Sequence, residues 1–461
     1  MQRLSRRFAA LVLSLLAACG GGGGTGSTGG GSPAGGIGQT LTLTLPASGL
    51  AAADLAVVVA EGDAVSEAAG AAYLTARGVP AANLIKVKVN TGSQNLTVAD
   101  FALLKADIDA KLPAGIQAVL LAWGAPSRVN GSCSMSITSA MTLGFDARWC
   151  SGTPVSSTNN CQPTAASPLY DSETRRPQVD LQLRPTMMLS TTTLAAAQTL
   201  INRGVAADAS FPPGEGWLVR TTDSARSVRW PDFEPLPAAW GSALKLNYVD
   251  NSAGAASDNS LSGKTGVLFY LTGLTQVANL STLQFRPGAL ADALTSVGGA
   301  LPNGGGSQMP ITAWLDAGVT ATYGTVSEPC NFPEKFSRAS VLIDHYWRGA
   351  TAIEAYWKAV QWPGQGLFIG EPLAQPFRDT PSFAIVAGEY QIKTRSLRPG
   401  GRYTLQYRTG TAWTTLASFT GVRGQPLDGR SPLPPAEAVQ IRWQGPCADN
   451  AASSCTLAQS S

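Results

Sequence analysis

The stretch LAVVVA at positions 55–60 decides the fold class, because an unbroken apolar run of this length is typical of a strand buried on both faces of a sheet. The following segments alternate in pattern: a helix over Val65–Arg77, a strand over Leu84–Val89, a helix from Thr97 to Lys111 and a strand over Ile116–Trp123. In the second helix, Leu103, Leu104 and Ile108 are predicted to share the buried face. This alternation predicts an α/β domain with a mostly parallel sheet and right-handed crossovers.

The same pattern indicates where a functional site would lie. Ligands of parallel α/β sheets bind beyond the carboxyl ends of the strands. Asp63 and Ser66 follow the first strand, and residues Gly124–Arg128 follow the third. We therefore expect a pocket beside these residues.

Later elements extend the sheet after a long interruption. Residues 130–182 are rich in Ser, Thr, Asn and Pro and contain three Cys, which predicts a disulfide-pinned excursion without sheet elements. The pattern then predicts strands over Thr186–Leu189 and Val267–Leu271, and helices over Leu194–Arg203, around Ala289–Leu294, and over Ser340–Arg348 and Ile353–Val360.

The C-terminal region has a different pattern from Phe383 onward. Tyr403, Leu405 and Tyr407 alternate with polar residues, and the same period of two returns over 439–443. Short alternating strands between turns predict a small β-sandwich of the fibronectin or immunoglobulin type. The predicted organisation is a signal peptide (1–18), a tether (19–39), an α/β domain (40–378), a β-sandwich (379–446) and a polar tail (447–461).

The N-terminus indicates export. Three arginines precede an apolar stretch over Phe8–Ala18, which has the length of a signal-peptide core and is too short to span a bilayer. It ends in LAAC at 16–19, which resembles the lipobox of bacterial lipoproteins, and this resemblance implies cleavage before Cys19 and diacylation of its sulfur. Residues 20–38 are nearly all Gly, Ser and Thr, as in a flexible tether. We expect a lipid-anchored protein in a Gram-negative cell envelope, on the periplasmic face or the outer membrane; an ordinary secretory signal is the alternative.

Cysteine usage fits an exported protein. The chain has seven Cys, and removing Cys19 leaves an even set, for which three disulfides are the expected state. Cys447 and Cys455 lie close together in the tail and are predicted to pair. The other four, Cys133, Cys150, Cys161 and Cys330, allow three connectivities. No C-x-x-C motif is present, which argues against a redox or zinc-ribbon role.

Composition excludes several functional classes. Only 14% of the residues are charged, against about 25% in an average chain, and the net charge is +3. With no basic run among aromatic residues in the body of the chain, these values argue against nucleic-acid binding. The single His, His345, rules out a multi-histidine metal site. No spacing defines a metal loop, so neither a metal nor a cofactor is predicted.

Four motifs carry a resemblance to a known family. They are RGVP at 77–80, YGTVSEPC at 323–330, IEAYW at 353–357 and GLFIGEPL at 366–373. As a set, over about Leu55–Phe377, they resemble an uncharacterised bacterial family that co-occurs with exosortase, the proposed sorting transpeptidase of exported proteins. That family is distantly similar to gingipain-type cysteine peptidases, so the resemblance implies a caspase-like α/β fold. It brings no biochemical activity of its own.

Two strand ends correspond to the catalytic positions of gingipain-type peptidases, in which one strand end supplies the catalytic His and the next supplies the nucleophilic Cys. Here Leu274 stands where the His is expected, and Ser296 or Val297 stands where the Cys is expected, which implies that the dyad is absent. Cys330 and His345 allow an alternative dyad. The competing interpretation is that Cys330 forms a disulfide and His345 contacts aromatic residues of its helix.

Polar side chains near strand ends and in the motifs are the remaining candidates for a pocket. They are Asp63, Ser66, Thr272, Asp292, Glu328, Glu354 and Glu371. Paired carboxylates can perform acid–base chemistry or hold a divalent cation. Each Glu can equally cap a helix or accept backbone hydrogen bonds in a turn.

Together these features predict a lipid-anchored envelope protein with a degenerate peptidase-like domain. Its expected role, implied by the family resemblance, is to bind a peptide, glycan or protein partner as an accessory component of exosortase- or exopolysaccharide-linked surface assembly. A hydrolase that uses Ser296 or Cys330 as its nucleophile is the alternative. A third interpretation is a pure scaffold for the β-sandwich.

Overall fold

The computed structural model describes residues 40–151, 161–448 and 453–460. The predicted signal peptide, the lipidation site Cys19 and the tether lie outside these residues. The α/β domain comprises β1 (Leu55–Ala60), α1 (Ala64–Arg77), β2 (Leu84–Val87), β3 (Asn95–Thr97), α2 (Val98–Lys111), β4 (Ala118–Leu121), β5 (Arg128–Asn130), β6 (Ser134–Ser136), α3 (Ile137–Leu143), α4 (Pro177–Asp180), β7 (Thr186–Met188), α5 (Leu194–Ala207), β8 (Glu215–Arg220), α6 (Trp230–Phe233), α7 (Leu236–Trp240), β9 (Lys245–Asp250), β10 (Val267–Gly273), β11 (Phe285–Leu294), α8 (Thr312–Asp316), β12 (Ala321–Thr325), α9 (Ala339–Trp347), α10 (Ala352–Ala359) and β13 (Gly366–Gly370). The C-terminal region comprises β14 (Ser382–Val386), β15 (Glu389–Thr394), β16 (Arg402–Thr409), β17 (Ala412–Thr420), β18 (Leu427–Pro432), β19 (Gln440–Pro446) and β20 (Ser454–Gln459).

Ten strands of the α/β domain form one sheet, in the order β2-β1-β4-β7-β13-β12-β11-β10-β8-β9. Neighbouring strands are parallel within β2-β1-β4-β7 and within β12-β11-β10-β8-β9. Between these two groups lies β13, which is antiparallel to β12 and meets β7 through a single residue pair, Met188 and Ile369. Helices flank the sheet, so the predicted α/β class with a mostly parallel sheet is confirmed.

The first strand–helix unit forms for local reasons. Every residue of β1 is fully buried, as a strand covered on both faces requires. Asp63 caps the N-terminus of α1 by accepting from the backbone N–H groups of Val65 and Ser66. Gly78 ends the helix in the left-handed conformation, with φ of 65°, which a residue without Cβ adopts at little cost.

Helix α2 begins at its predicted cap but buries a different stripe. Thr97 accepts from the backbone N–H of Asp100 at 3.1 Å and caps the helix. The buried residues are Phe101, Leu104 and Ile108, whereas Leu103 is 73% exposed. The expectation that Leu103 shares the buried face is therefore wrong. Leu103 precedes Leu104 by about 100° around the helix axis, and Phe101 takes its place in the i, i+3, i+7 stripe.

The helix predicted around Ala289–Leu294 is instead the central strand β11. Leu290 pairs with Phe269 of β10 on one side and with Ala321 of β12 on the other. Short Ala- and Leu-rich runs are compatible with both a buried helix and a buried strand. Hydrogen bonding to the neighbouring strands β10 and β12 makes this segment a strand, and this pairing outweighs the helix propensity of alanine.

The segment 130–182 is less irregular than predicted. It contributes β6 to a small sheet, β3-β5-β6, and helix α3, which contacts β7 and β13. The hydroxyls of α3 can be buried because they find backbone partners: Ser139 Oγ donates to the Gly366 carbonyl at 2.8 Å, and Thr142 Oγ1 accepts from the Thr186 N–H at 3.0 Å. A Ser/Thr-rich composition therefore did not prevent this segment from entering the core.

The C-terminal strands form the predicted sandwich. Sheets β14-β15-β18 and β17-β16-β19-β20 are antiparallel and share one apolar core. This core contains Tyr390, Ile392, Tyr403, Leu405, Ile441 and Trp443, together with Leu43 and Leu45 from the segment before the α/β domain. The tail supplies β20, and the predicted bridge between Cys447 and Cys455 is confirmed.

A network of buried charges joins the two domains. Both Nη atoms of Arg348 in α9 donate to Glu173 at 2.9 Å, and Arg398 of the sandwich donates to the same carboxylate at 3.1 Å. Arg398 also pairs with Asp171 at 2.6 Å. We call these four residues and His345 the junction network. It ties the sandwich to the α/β domain through complementary charges that are largely removed from water.

Candidate functional site

A polar cleft lies at the carboxyl edge of the sheet, where the loops after β1, β4 and β7 meet. It consists of two cavities of about 240 and 390 Å³ that share Gly124, Thr191, Thr192 and Pro302. The first cavity is also lined by Asp63, Ser66 and Thr91, and the second by Thr199, Arg203 and Asp316. We call these residues the carboxyl-edge cleft. Its position agrees with the pocket expected beside Asp63, Ser66 and Gly124.

Asp63 and Ser66 hold the cleft wall in shape. Asp63 Oδ1 accepts from the Val65 and Ser66 N–H groups at 3.0 and 2.9 Å, and Oδ2 accepts from Thr91 Oγ1 at 2.7 Å. The Ser66 N–H and the Thr91 hydroxyl lower the pKa of Asp63, so its carboxylate is ionised. Ser66 Oγ accepts from the Ala60 N–H at 2.9 Å. Both side chains line the cleft while they also fix the turn between β1 and α1.

The remaining cleft residues offer hydrogen bonds, chiefly from hydroxyl groups. Hydroxyls of Thr191, Thr192 and Thr199 line it, whereas His, Cys and Lys are absent from the described lining. Arg203 is held by the backbone carbonyls of Leu315 and Val319 at 3.0 and 2.7 Å. Such a surface can bind the polar groups of a peptide or a sugar.

The adjacent strands β10 and β11 place Leu274 and Ser296 at neighbouring strand ends. Gly273 and Leu294 pair in register, and Leu274 and Ser296 follow them within two residues. The Ser296 carbonyl accepts from Thr325 Oγ1 at 2.8 Å, and no described residue hydrogen-bonds to the half-buried Ser296 hydroxyl. The resemblance assigns Leu274 to the position of the His in gingipain-type peptidases, and Ser296 or Val297 to the position of the Cys.

Cys330 and His345 are engaged elsewhere. Cys330 forms a disulfide with Cys161, and Cys133 forms one with Cys150. In the buried His345 side chain, Nε2 lies 3.0 Å from Asp171 Oδ1 and Nδ1 lies 3.0 Å from Arg348 Nη2. Burial and then the Arg348 charge lower the pKa of His345, which keeps the imidazole neutral. The structure does not bring these two residues together as a dyad.

Thr272 and Asp292 belong to a second cluster, centred on Arg229. Arg229 Nη1 pairs with Asp292 Oδ1 at 2.7 Å, Nη2 donates to the Thr272 carbonyl, and Ser337 Oγ donates to Asp292. Burial raises the pKa of Asp292 even though Arg229 opposes that change. A cavity of about 200 Å³ lies beside Arg229 and Ser337. The cluster is a buried ion pair, and among the described residues Asp292 Oδ1, Arg229 Nε and Thr272 Oγ1 have no hydrogen-bond partner.

The three glutamates from the motifs have structural contacts. Glu354 accepts from the Thr351 and Leu50 N–H groups at 2.9 and 3.0 Å and completes a capping box on α10. Glu371 is fully buried and pairs with Arg77, while Tyr73 donates to it. Glu328 is exposed and accepts from the Cys330 N–H at 2.8 Å within its turn. Of the predicted pocket residues, only Asp63 and Ser66 line the cleft.

Several cleft residues were missed at the level of sequence. Thr191 and Thr192 follow the strand predicted over Thr186–Leu189, so the strand-end rule that singled out Asp63 applies to them equally. Arg203 and Pro302 carry no such signal. They reach the cleft through the return of α5 and through the loop after β11.

Clusters of three or more His, Cys, Asp or Glu side chains arranged to hold a metal ion do not occur among residues 40–151, 161–448 and 453–460. Within the same ranges, every helix is too short or too polar to cross a membrane.

Comparisons with known proteins add little to this structure. No protein-family model matches the chain, and no curated protein matches it. A solved structure titled "Structure of Protease" aligns with a TM-score of 0.37 and 10% identity, over 87% of this chain and 96% of that chain. An alignment this loose does not establish a shared fold. The class of protein is defined by the structure itself: a mixed α/β domain with a ten-stranded, mostly parallel sheet, followed by a β-sandwich.

Proposed function

We propose that this protein is an exported, lipid-anchored binding protein of the bacterial cell envelope, whose α/β domain does not perform peptidase chemistry. The observation that carries the proposal is the pair of neighbouring strand ends at Leu274 and Ser296. A hydroxyl nucleophile needs a base within hydrogen-bond reach, and the described residues around Ser296 supply none. The lone His is held in the junction network by two other side chains.

The carboxyl-edge cleft is the proposed binding site. Its hydroxyls and the fixed guanidinium of Arg203 suit an extended peptide or glycan segment of a partner. The accessory role in exosortase- or exopolysaccharide-linked surface assembly rests on the family resemblance, and anchoring through Cys19 rests on the lipobox.

Catalysis is tested by activity-based labelling of the mature exported protein. Serine- and cysteine-directed probes should label neither Ser296 nor Cys330. Cys161→Ala, which frees the Cys330 thiol, is the positive control for access of the cysteine probe. Site-specific labelling that disappears in Ser296→Ala, or in Cys330→Ala of the otherwise native chain, would establish the hydrolase alternative.

Binding is tested by complementation of a deletion strain. Thr192→Arg places a long side chain where the two cavities meet. We expect that this variant does not restore the cell-surface assembly that the deletion strain has lost. Thr75→Arg, on the exposed surface of α1, is the matched control and should complement fully. Full complementation by Thr192→Arg would mean that the cleft is not the binding site. Cys19→Ser should release the protein from the membrane fraction.

A further inference from the structure

One face of the four-stranded sheet β17-β16-β19-β20 differs from the rest of the sandwich. Tyr403, Leu405, Ile441 and Trp443 point into the core, so the alternate residues of β16 and β19 point outward. The outward side chains that form this surface are Arg402, Gln406 and Arg408 of β16, Trp413 of β17, and Arg442 and Gln444 of β19. None of the six is buried. We call them the arginine face.

The arginine face carries positive charge without a counter-charge. The four strands contain no Asp or Glu, and none of the three arginines forms an ion pair with a described residue. By contrast, the basic residues of the opposite sheet are paired: Lys393 with Asp428 at 3.4 Å, and Arg430 with Glu389 at 3.5 Å.

Two of the guanidinium groups are held close together by an aromatic ring. Arg442 and Arg408 lie over the Trp413 ring at 4.1 and 5.4 Å, and Arg442 Nε donates to Gln406 Oε1 at 2.8 Å. Arg408 Nε is shielded from water and has no hydrogen-bond partner among the described residues. Burial and then the charge of Arg408 lower the pKa of Arg442. An anionic ligand would satisfy the free donors and relieve this repulsion.

We propose that the arginine face binds an acidic polysaccharide in which carboxylates alternate with neutral, hydroxyl-bearing sugar units. Guanidinium groups match carboxylates with paired hydrogen bonds. Gln406 and Gln444 can both donate to and accept from hydroxyls, and the partly exposed Trp413 offers an apolar edge for a sugar ring.

The sparse charge favours a polysaccharide over a nucleic acid. A nucleic acid carries a phosphate at every unit, and its binding proteins present dense basic stripes. Three arginines among neutral polar groups, in a chain of net charge +3, fit a polymer with fewer charges and many hydroxyls. This site lies on a different domain from the carboxyl-edge cleft, so it stands independently of the proposed function.

The test measures binding of hyaluronan, in which glucuronate alternates with neutral N-acetylglucosamine, by the full mature chain, with dextran as the neutral comparator. We expect hyaluronan to bind with an affinity that falls as salt is raised, and dextran to bind far more weakly. Arg408→Gln combined with Arg442→Gln should weaken hyaluronan binding at least about tenfold, the factor expected for one lost charge-assisted hydrogen bond. Arg402→Glu lies at an exposed position and leaves the packing intact. It should also weaken binding of the acidic polysaccharide, and it tests the proposal if the double variant fails to fold.

The matched control is Lys393→Gln combined with Arg430→Gln, which removes the same charge from the opposite sheet and should leave the affinity within about twofold. The proposal is overturned if the native chain does not retain hyaluronan, or if the control loses as much affinity as the arginine-face variants. Tighter binding to duplex DNA or to phosphatidylglycerol vesicles would overturn the choice of partner. The cleft is tested separately, because Thr192→Arg leaves the arginine face unchanged and should bind hyaluronan normally.

Discussion

Glu173 should be among the most sensitive positions in the protein, because one carboxylate serves two arginines at the domain junction. Arg348 donates to both carboxylate oxygens at 2.9 Å and Arg398 donates to one at 3.1 Å. The side chains of Glu173 and Arg348 are only 10% and 6% exposed. Glu173→Gln therefore leaves two guanidinium groups short of charge, with Asp344 and Asp171 as their remaining partners.

Removing one partner of a buried ion pair costs about 3–5 kcal/mol. Because Asp344 and Asp171 remain, we expect the lower end, about 3 kcal/mol at neutral pH. Burial opposes ionisation of Glu173, but the charge and hydrogen bonds of Arg348 outweigh it and hold its pKa well below 4.5. A depressed folded-state pKa contributes stability that is present above pH 4.5 and is lost as the pH falls below it. The cost of Glu173→Gln should therefore shrink on acidification.

The assay is urea-induced unfolding followed by tryptophan fluorescence at about pH 7, 5 and 3.5. Glu389→Gln, which removes an exposed partner of Arg430, is the control and should cost less than about 1 kcal/mol. The reasoning fails if Glu173→Gln costs no more than this control. It also fails if the cost of Glu173→Gln is the same at all three pH values.

Three further predictions concern other parts of the chain. Leu104→Ala should lower the free energy of unfolding by about 2–5 kcal/mol, because Leu104 is buried. Leu103 is exposed, so Leu103→Ala should change the free energy of unfolding by less than about 0.5 kcal/mol. Urea unfolding of the two variants distinguishes the observed buried face of α2 from the predicted one. Burial and Arg348 lower the pKa of His345 in the folded chain, so on acidification the imidazole is protonated in the unfolded chain first. The free energy of unfolding should therefore fall as the pH drops below about 6.5. His345→Gln should remove the share of this fall that comes from protonation of His345. When the mature protein is denatured without reduction and alkylated, mass spectrometry should find no alkylated thiol among Cys133, Cys150, Cys161, Cys330, Cys447 and Cys455. An alkylated Cys330 would contradict its disulfide with Cys161.

Local patterns determined the parts of the fold whose causes are local. The apolar run of β1, the Asp63 cap and the Gly78 terminus lie within one segment, so they predicted β1 and α1 closely. The period of two over Tyr403–Tyr407 identified the sandwich for the same reason, since a strand with one buried face displays that face in its own sequence. The short spacing of Cys447 and Cys455 predicted their disulfide.

The tertiary structure decided what depends on neighbours distant in sequence. Ala289–Leu294 became a strand because β10 and β12 hydrogen-bond it on both sides, and α3 entered the core because Gly366 and Thr186 satisfy its hydroxyls. The motif carboxylates looked alike in sequence. In the folded chain Glu371 pairs with a buried arginine, Glu354 caps a helix and Asp63 lines the cleft.

By itself, then, the sequence determined the α/β class, the sandwich and the residues at the first strand end, since hydrophobic periodicity and capping act within a few residues. Only the tertiary structure decided which polar groups line the cleft and which form buried ion pairs. It also decided which arginines have no described anionic partner. Charge pairing and desolvation depend on distances in space, and residues far apart in the chain set those distances.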